Sequence, residues 1–255
     1  MTPRRKALIF TLAAILACPL VFVIEALIAI PGLDDHFRNP DPKPRFFGAQ
    51  GAPLMYVVIG DSTAAGRGAQ YEQGIAIQTA RHLALSRRVT MVNLAVSGAR
   101  VTDVELLQLP AALKLRPDVV LLAVGANDAT HFTTSRAFEA GLTRTLESFA
   151  TVRPDVRIVL TGSPDVGAVR RFAQPLRWLA GRETIRINYS VHSVIRAAIG
   201  RHIHVVLAPI ADETGPLFRR DPTLLAADRF HPNEHGYATW IPVLNTALDQ
   251  VLKQK

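Results

Sequence analysis

The chain has 255 residues, of which 49% are hydrophobic and 20% charged, and a formal net charge of +8. That composition suits a packed core and excludes an intrinsically disordered chain. A single cysteine, Cys18, excludes a disulfide scaffold, and no zinc finger, RNA-binding signature or dense Lys/Arg run points to nucleic acid.

In chain order the first element is apolar. Residues 7–30 are apolar except for Thr11, Pro19 and Glu25, and residues 7–24 carry no charge. At about 1.5 Å per residue the uncharged part reaches roughly 27 Å, close to a bilayer core of about 30 Å. Arg4, Arg5 and Lys6 precede it and Asp34 and Asp35 follow it, an asymmetry that puts the amino terminus in the cytoplasm and the body outside. A cleaved signal peptide, leaving a secreted body, is the rival reading. It needs small residues at the −3 and −1 positions, and residues 17–33 offer no such pair without proline. The expected organisation is therefore a signal-anchor transmembrane segment over 1–30, a tether over 31–54 and one domain over 55–255. Pro31, Pro40, Pro42, Pro44 and Pro53 make the tether extended and semi-stiff, unless Phe46 and Phe47 pack on the domain.

The body alternates strand and helix. Apolar runs at 55–60, 89–95, 119–124, 156–161 and 203–208 read as buried parallel strands. Helical segments are expected at 71–86, at 101–113 with an interruption at Pro110, at 134–150, at 184–199 and at 234–252 with a kink at Pro242. The alternation implies the α/β class, as a doubly wound α/β/α sandwich on a five-stranded parallel sheet. Ligands of such sheets bind beyond the carboxyl ends of the strands. Asp61 and Ser62 follow the first run, Ser97 and Gly98 the second, and Gly125-Ala126-Asn127-Asp128 the third. A long loop after the fifth leads to Asp228 and His231.

A serine at a strand end, with a distant Asp and His, is the residue set of nucleophilic acyl transfer. Gly60-Asp61-Ser62, Gly98, Gly125-Ala126-Asn127-Asp128 and Asp228-Arg229-Phe230-His231 resemble, in this order, the four blocks of the SGNH (GDSL-type) hydrolase family. The resemblance covers roughly residues 55–252. It implies a flavodoxin-like sheet and ester hydrolysis through a serine nucleophile. The first block continues with Thr63 where the family pattern has leucine, a variation the family accommodates.

On this reading Ser62 is the nucleophile and His231 its base, since an imidazole with an unperturbed pKa of about 6.5 exchanges protons near neutrality. Asp228 accepts from the imidazole Nδ1–H and fixes its tautomer. Pro232 suits the first turn of a helix that holds the base. The Ser62 and Gly98 backbone N–H groups and the Asn127 amide supply the oxyanion donors. Each residue also has a plainer reading: Ser62 as a helix cap, Gly98 as a turn glycine, Asn127 and the Asp228–His231 stretch as capping loops. Asp61 and Asp128 read as loop-orienting rather than catalytic.

Other chemistries lack their signatures. There is no Gly-x-Ser-x-Gly elbow and no phosphate-binding glycine loop. The His202/His204 and His231/His235 pairs lack further partners for a metal, so His202, His204 and His235 read as surface or edge residues. Residues 163–182, with Arg170, Arg171, Arg177 and Trp178, form either a flap or wall that selects substrate or a solvated loop and short helix. The expected protein is a membrane-anchored, extracytoplasmic serine esterase without cofactor or metal. Its substrates are lipid, acetylated polysaccharide or small acyl esters. The alternatives are an acyltransferase that uses the same acyl-serine, and a non-catalytic envelope-binding module.

Overall fold

A computed structural model describes residues 37–254, together with Arg5. Apart from Arg5, the expected membrane segment over 1–30 lies outside the described residues. Among the described residues no helix is long and apolar enough to cross a membrane.

The strands are β1 (Arg45–Phe47), β2 (Ala52–Gly60), β3 (Arg87–Asn93), β4 (Val119–Ala123), β5 (Arg157–Leu160) and β6 (His204–Leu207), in one sheet of order β1-β3-β2-β4-β5-β6. Strands β2 to β6 are parallel, and β1 pairs antiparallel with β3. The expected all-parallel, five-stranded sheet is thus a mixed sheet of six strands. The extra strand falls in the stretch expected as tether. Phe47 packs on the core while Phe46 is 78% exposed, the alternation of a strand with one buried face. Phe37 also packs on the core, and the Asn39 side chain accepts from the Ser97 N–H at 2.7 Å. Residues 37–54 therefore belong to the domain.

Two-sided burial explains the layers. Along β2, Tyr56 and Val58 face one core and Val57 and Ile59 the other, and all four are fully buried. Along β4, Val119 and Leu121 face the first core and Val120 and Leu122 the second. Helices α1 (Ile75–Leu83), α6 (Ile210–Arg220) and α7 (Glu234–Leu252) cover the first face. The second is covered by α2 (Leu109–Lys114), α4 (Ser135–Val152) and α5 (Leu176–Ile199). A short helix, α3 (Ala126–Thr130), follows β4 at the carboxyl edge of the sheet.

Four elements differ from expectation. Gly74 splits the segment 71–86 into a 3₁₀ turn, Tyr71–Gln73, and α1. Pro110 does not break the chain at 101–113, because a wide turn over Val104–Gln108 carries it into α2. Helix α6 occupies part of the expected loop after β6. Its Ile210, Thr214 and Phe218 face inward, and Pro216 sits within it. Helix α5 begins at Leu176 instead of 184, so residues 176–182 of the 163–182 stretch are helix.

Candidate active site

The site sits where the parallel strands reverse their order. β2 lies between β3 and β4, so the loops after these three strands meet at one crevice. The chain leaves β2 at Gly60 with φ of 140°, and a Cβ there would lie 1.9 Å from the Ala123 carbonyl oxygen. Only glycine allows that close approach. The Gln108 side chain clamps the same residue through both of its flanking peptides. Its Oε1 accepts from the Gly60 N–H and its Nε2 donates to the Gly60 carbonyl, each at 2.8 Å. The Asp61 N–H then donates to Ala123 O at 2.9 Å, and Ser62 is delivered at the strand end.

Ser62 Oγ lies 2.9 Å from His231 Nε2, and His231 Nδ1 lies 2.5 Å from Asp228 Oδ2. Ser62 and His231 are each 4% exposed. The second Asp228 oxygen accepts from the Phe230 and His231 N–H groups at 2.9 and 3.0 Å. Arg229 between them takes a φ of 59°, a turn conformation unusual for a side-chain-bearing residue. Burial alone would push the Asp228 carboxyl up. The His231 hydrogen bond and charge, with the two backbone donors, outweigh it and hold the group at about 2. Asp228 therefore stays a carboxylate that orients the ring. Behind His231, Asn233 caps α7 by accepting from the Gly236 N–H at 3.0 Å. The base is thus held just ahead of a helix start, but Pro232 lies before the N-cap Asn233, bridged to Leu225, and not in the first turn as expected.

Ser62, Gly98, Asn127 and His231 line one open cleft of about 520 Å³. The backbone N–H groups of Ser62 and Gly98 have no acceptor among the described residues. Gly98 has φ of 89° and nothing within 4 Å of a would-be Cβ, so its backbone conformation, not crowding, calls for glycine. Asn127 donates one amide hydrogen to Ala99 O at 3.1 Å, which leaves the other to point elsewhere. All five residues expected at the site, Ser62, Gly98, Asn127, Asp228 and His231, come together.

The two acidic residues set aside in sequence serve the loops. Asp61 Oδ1 accepts from both the N–H and the hydroxyl of Thr63, at 2.9 and 2.7 Å. Burial raises its carboxyl to about 6, against the opposing Thr63 bonds. Asp128 Oδ2 accepts from the Val101 N–H at 3.0 Å, and burial raises this carboxyl too.

Several supporting residues escaped sequence reading. Gln108 is one; nothing local marks a side chain that reaches back 48 positions. Asn93 is another: its Nδ2 donates to Ala64 O at 2.9 Å and its Oδ1 accepts from the Ala95 N–H at 3.0 Å, joining the loops after β2 and β3. Phe132 and Phe172 wall the cleft alongside Arg171 and Leu176. The stretch 163–182 does reach the site, as a wall made of its loop and the first turn of α5.

The model of the GDSL-like lipase/acylhydrolase family matches residues 58–239. A GDSL-like esterase of Mycobacterium tuberculosis is 29% identical over 279 aligned positions, covering 99% of this chain and 86% of that protein. Among solved structures, the psychrotrophic esterase EstA of Pseudoalteromonas sp. superposes with a TM-score of 0.59 at 18% identity, over 79% of this chain and 100% of that one. A catalytic mutant of the acetylxylan esterase Axe2 of Geobacillus stearothermophilus gives 0.59 at 18% identity, over 81% and 97%. At these identities the two structures are alike in fold.

Proposed function

The chain belongs to the GDSL-like lipase/acylhydrolase family and is an ester hydrolase, and from that premise we propose that it cleaves carboxylic esters through an acyl-serine on Ser62. The observation that carries the mechanism is the continuous hydrogen-bonded line from Ser62 Oγ through His231 to Asp228. In the first half-reaction Ser62 Oγ bonds to the acyl carbon while His231 Nε2 takes the hydroxyl proton. Negative charge gathers on the carbonyl oxygen, for which Ser62 N–H, Gly98 N–H and Asn127 are the nearby donors. The bond to the alcohol oxygen breaks and His231 returns the proton to it. Water then repeats the sequence, releasing the acid and restoring Ser62.

We place this chemistry outside the membrane, at the cell envelope, on the strength of the apolar 7–30 segment and its flanking charges. The substrates are acyl or acetyl esters of lipids, polysaccharides or small alcohols. A fluorophosphonate probe tests the mechanism. The full chain becomes labelled and Ser62→Ala does not. Equal labelling of both, or none of the folded wild-type chain, overturns the acyl-serine.

A further inference from the structure

Two spaces meet at Ser62 and His231, and they differ in kind. The first is the open cleft of about 520 Å³. The second is a pocket of about 40 Å³ under the 164–169 loop, walled mainly by Ala126, Val166, Val169, Phe218, Phe230 and Trp240. Phe230 borders both. Phe218 and Trp240 meet edge to face at 6.4 Å and are 6% and 3% exposed, so that end of the pocket is closed by packed rings. Its acidic neighbour Asp165 is paired with Arg219 at 2.7 Å.

The order of events in a two-step hydrolysis assigns the two spaces. The alcohol leaves while the acyl group stays bonded to Ser62, and water must then arrive where the alcohol was. A pocket of about 40 Å³, closed at its Phe218/Trp240 end, passes neither an alcohol nor its replacement freely. The group that stays takes the closed side, and the group that leaves takes the open side. We propose, resting on the acyl-serine reading above, that the Val169/Phe218/Trp240 pocket seats the acyl chain, and that the enzyme takes short acyl groups, acetyl to butyryl, on a bulky alcohol lying in the cleft. The size limit comes from volume. One water-sized group needs about 10–15 Å³ on the same measure, so the pocket holds about three such groups beyond the carbonyl carbon.

The test is the acyl-length profile of the full chain on p-nitrophenyl esters from acetate to octanoate. Acetate, propionate and butyrate are expected to share similar kcat/KM, with a fall of about 10²-fold by octanoate. Phe218→Ala opens the closed end and raises the octanoate-to-acetate ratio about 10-fold or more. Val169→Ala removes two methyl groups from the wall, a milder change, and moves the ratio in the same direction. Fluorophosphonate labelling of Ser62 is measured in each variant. Labelled wild-type enzyme that cleaves octanoate as fast as acetate overturns the acyl pocket and leaves the acyl-serine standing. So do labelled variants with an unchanged ratio. Folded wild-type enzyme without labelling overturns both. Should neither variant fold, the wild-type profile alone decides.

Discussion

Replacing Gln108 by methionine tests how Ser62 is held. Gln108 is 3% exposed, and its amide makes two hydrogen bonds of 2.8 Å to the N–H and carbonyl of Gly60. Methionine fills similar space but pairs with neither group. The buried Gly60 N–H then loses its partner, at about 1–3 kcal/mol, while the carbonyl keeps the Val96 N–H at 3.1 Å. The expected destabilisation is roughly 2 kcal/mol, which lowers Tm by about 4–8 °C for a domain of this size. Activity is expected to fall further than stability explains, because Gly60 is two residues from the nucleophile and its N–H donor. A Gln108→Glu variant separates the two bonds. Ionised, it still accepts from the Gly60 N–H but cannot donate to the carbonyl, so its loss lies between wild type and methionine. Thermal unfolding followed by circular dichroism, with kcat on p-nitrophenyl acetate measured well below Tm, reads both effects. A methionine variant within 1 kcal/mol of wild type and with unchanged kcat would refute the clamp.

Three further expectations follow from the site. Asn127→Ala removes one oxyanion donor and is expected to lower kcat by about 10²–10³-fold with little change in KM, read by steady-state kinetics; a change confined to KM contradicts that role. Asp228→Asn keeps the shape but loses the carboxylate that fixes the His231 tautomer, and kcat is expected to fall by about 10⁴-fold. Since Asp228 is lowered to about 2, the stability it contributes is present above its ordinary 3.8 and is lost as pH falls through about 2. Acid unfolding of Asp228→Asn should therefore show a weaker pH dependence below about pH 4 than wild type. Asp61 has the opposite sign: burial raises it from 3.8 to about 6, so stability falls as pH rises across that interval, by about 3 kcal/mol at most. Asp61→Asn is expected to raise Tm at pH 7 relative to pH 4 when each is compared with wild type, and an equal change at both pH values counts against the buried carboxylate.

What could be read in the sequence was whatever has a local signature. The strand β2 is an unbroken apolar run, and a serine directly after it is visible without knowing any contact. Pro232 after His231 signals a nearby helix, although the helix starts at Glu234 behind the Asn233 cap. The antiparallel strand β1 was hidden because its three residues lie among prolines that read as tether. Helix α6 was hidden by Pro209, Gly215 and Pro216, which punctuate a segment whose stability comes from Ile210 and Phe218 packing inward. Gln108 and Asn93 have purely tertiary roles, and a buried amide bound to distant backbone leaves no pattern in its own neighbourhood. The partition between an open cleft and a closed pocket depends on how the 164–169 loop lies over α6 and α7, which no spacing encodes.

The acyl-serine itself is the central claim, and rapid quenching tests it most directly. The full chain is mixed with p-nitrophenyl acetate, quenched in acid within the first turnover, digested and mapped by mass spectrometry. The expected result is one acetyl group on Ser62, absent from Ser62→Ala and accumulating with the first burst of p-nitrophenolate. Turnover at full rate with the acetyl group on another residue, or in the Ser62→Ala chain, would contradict it.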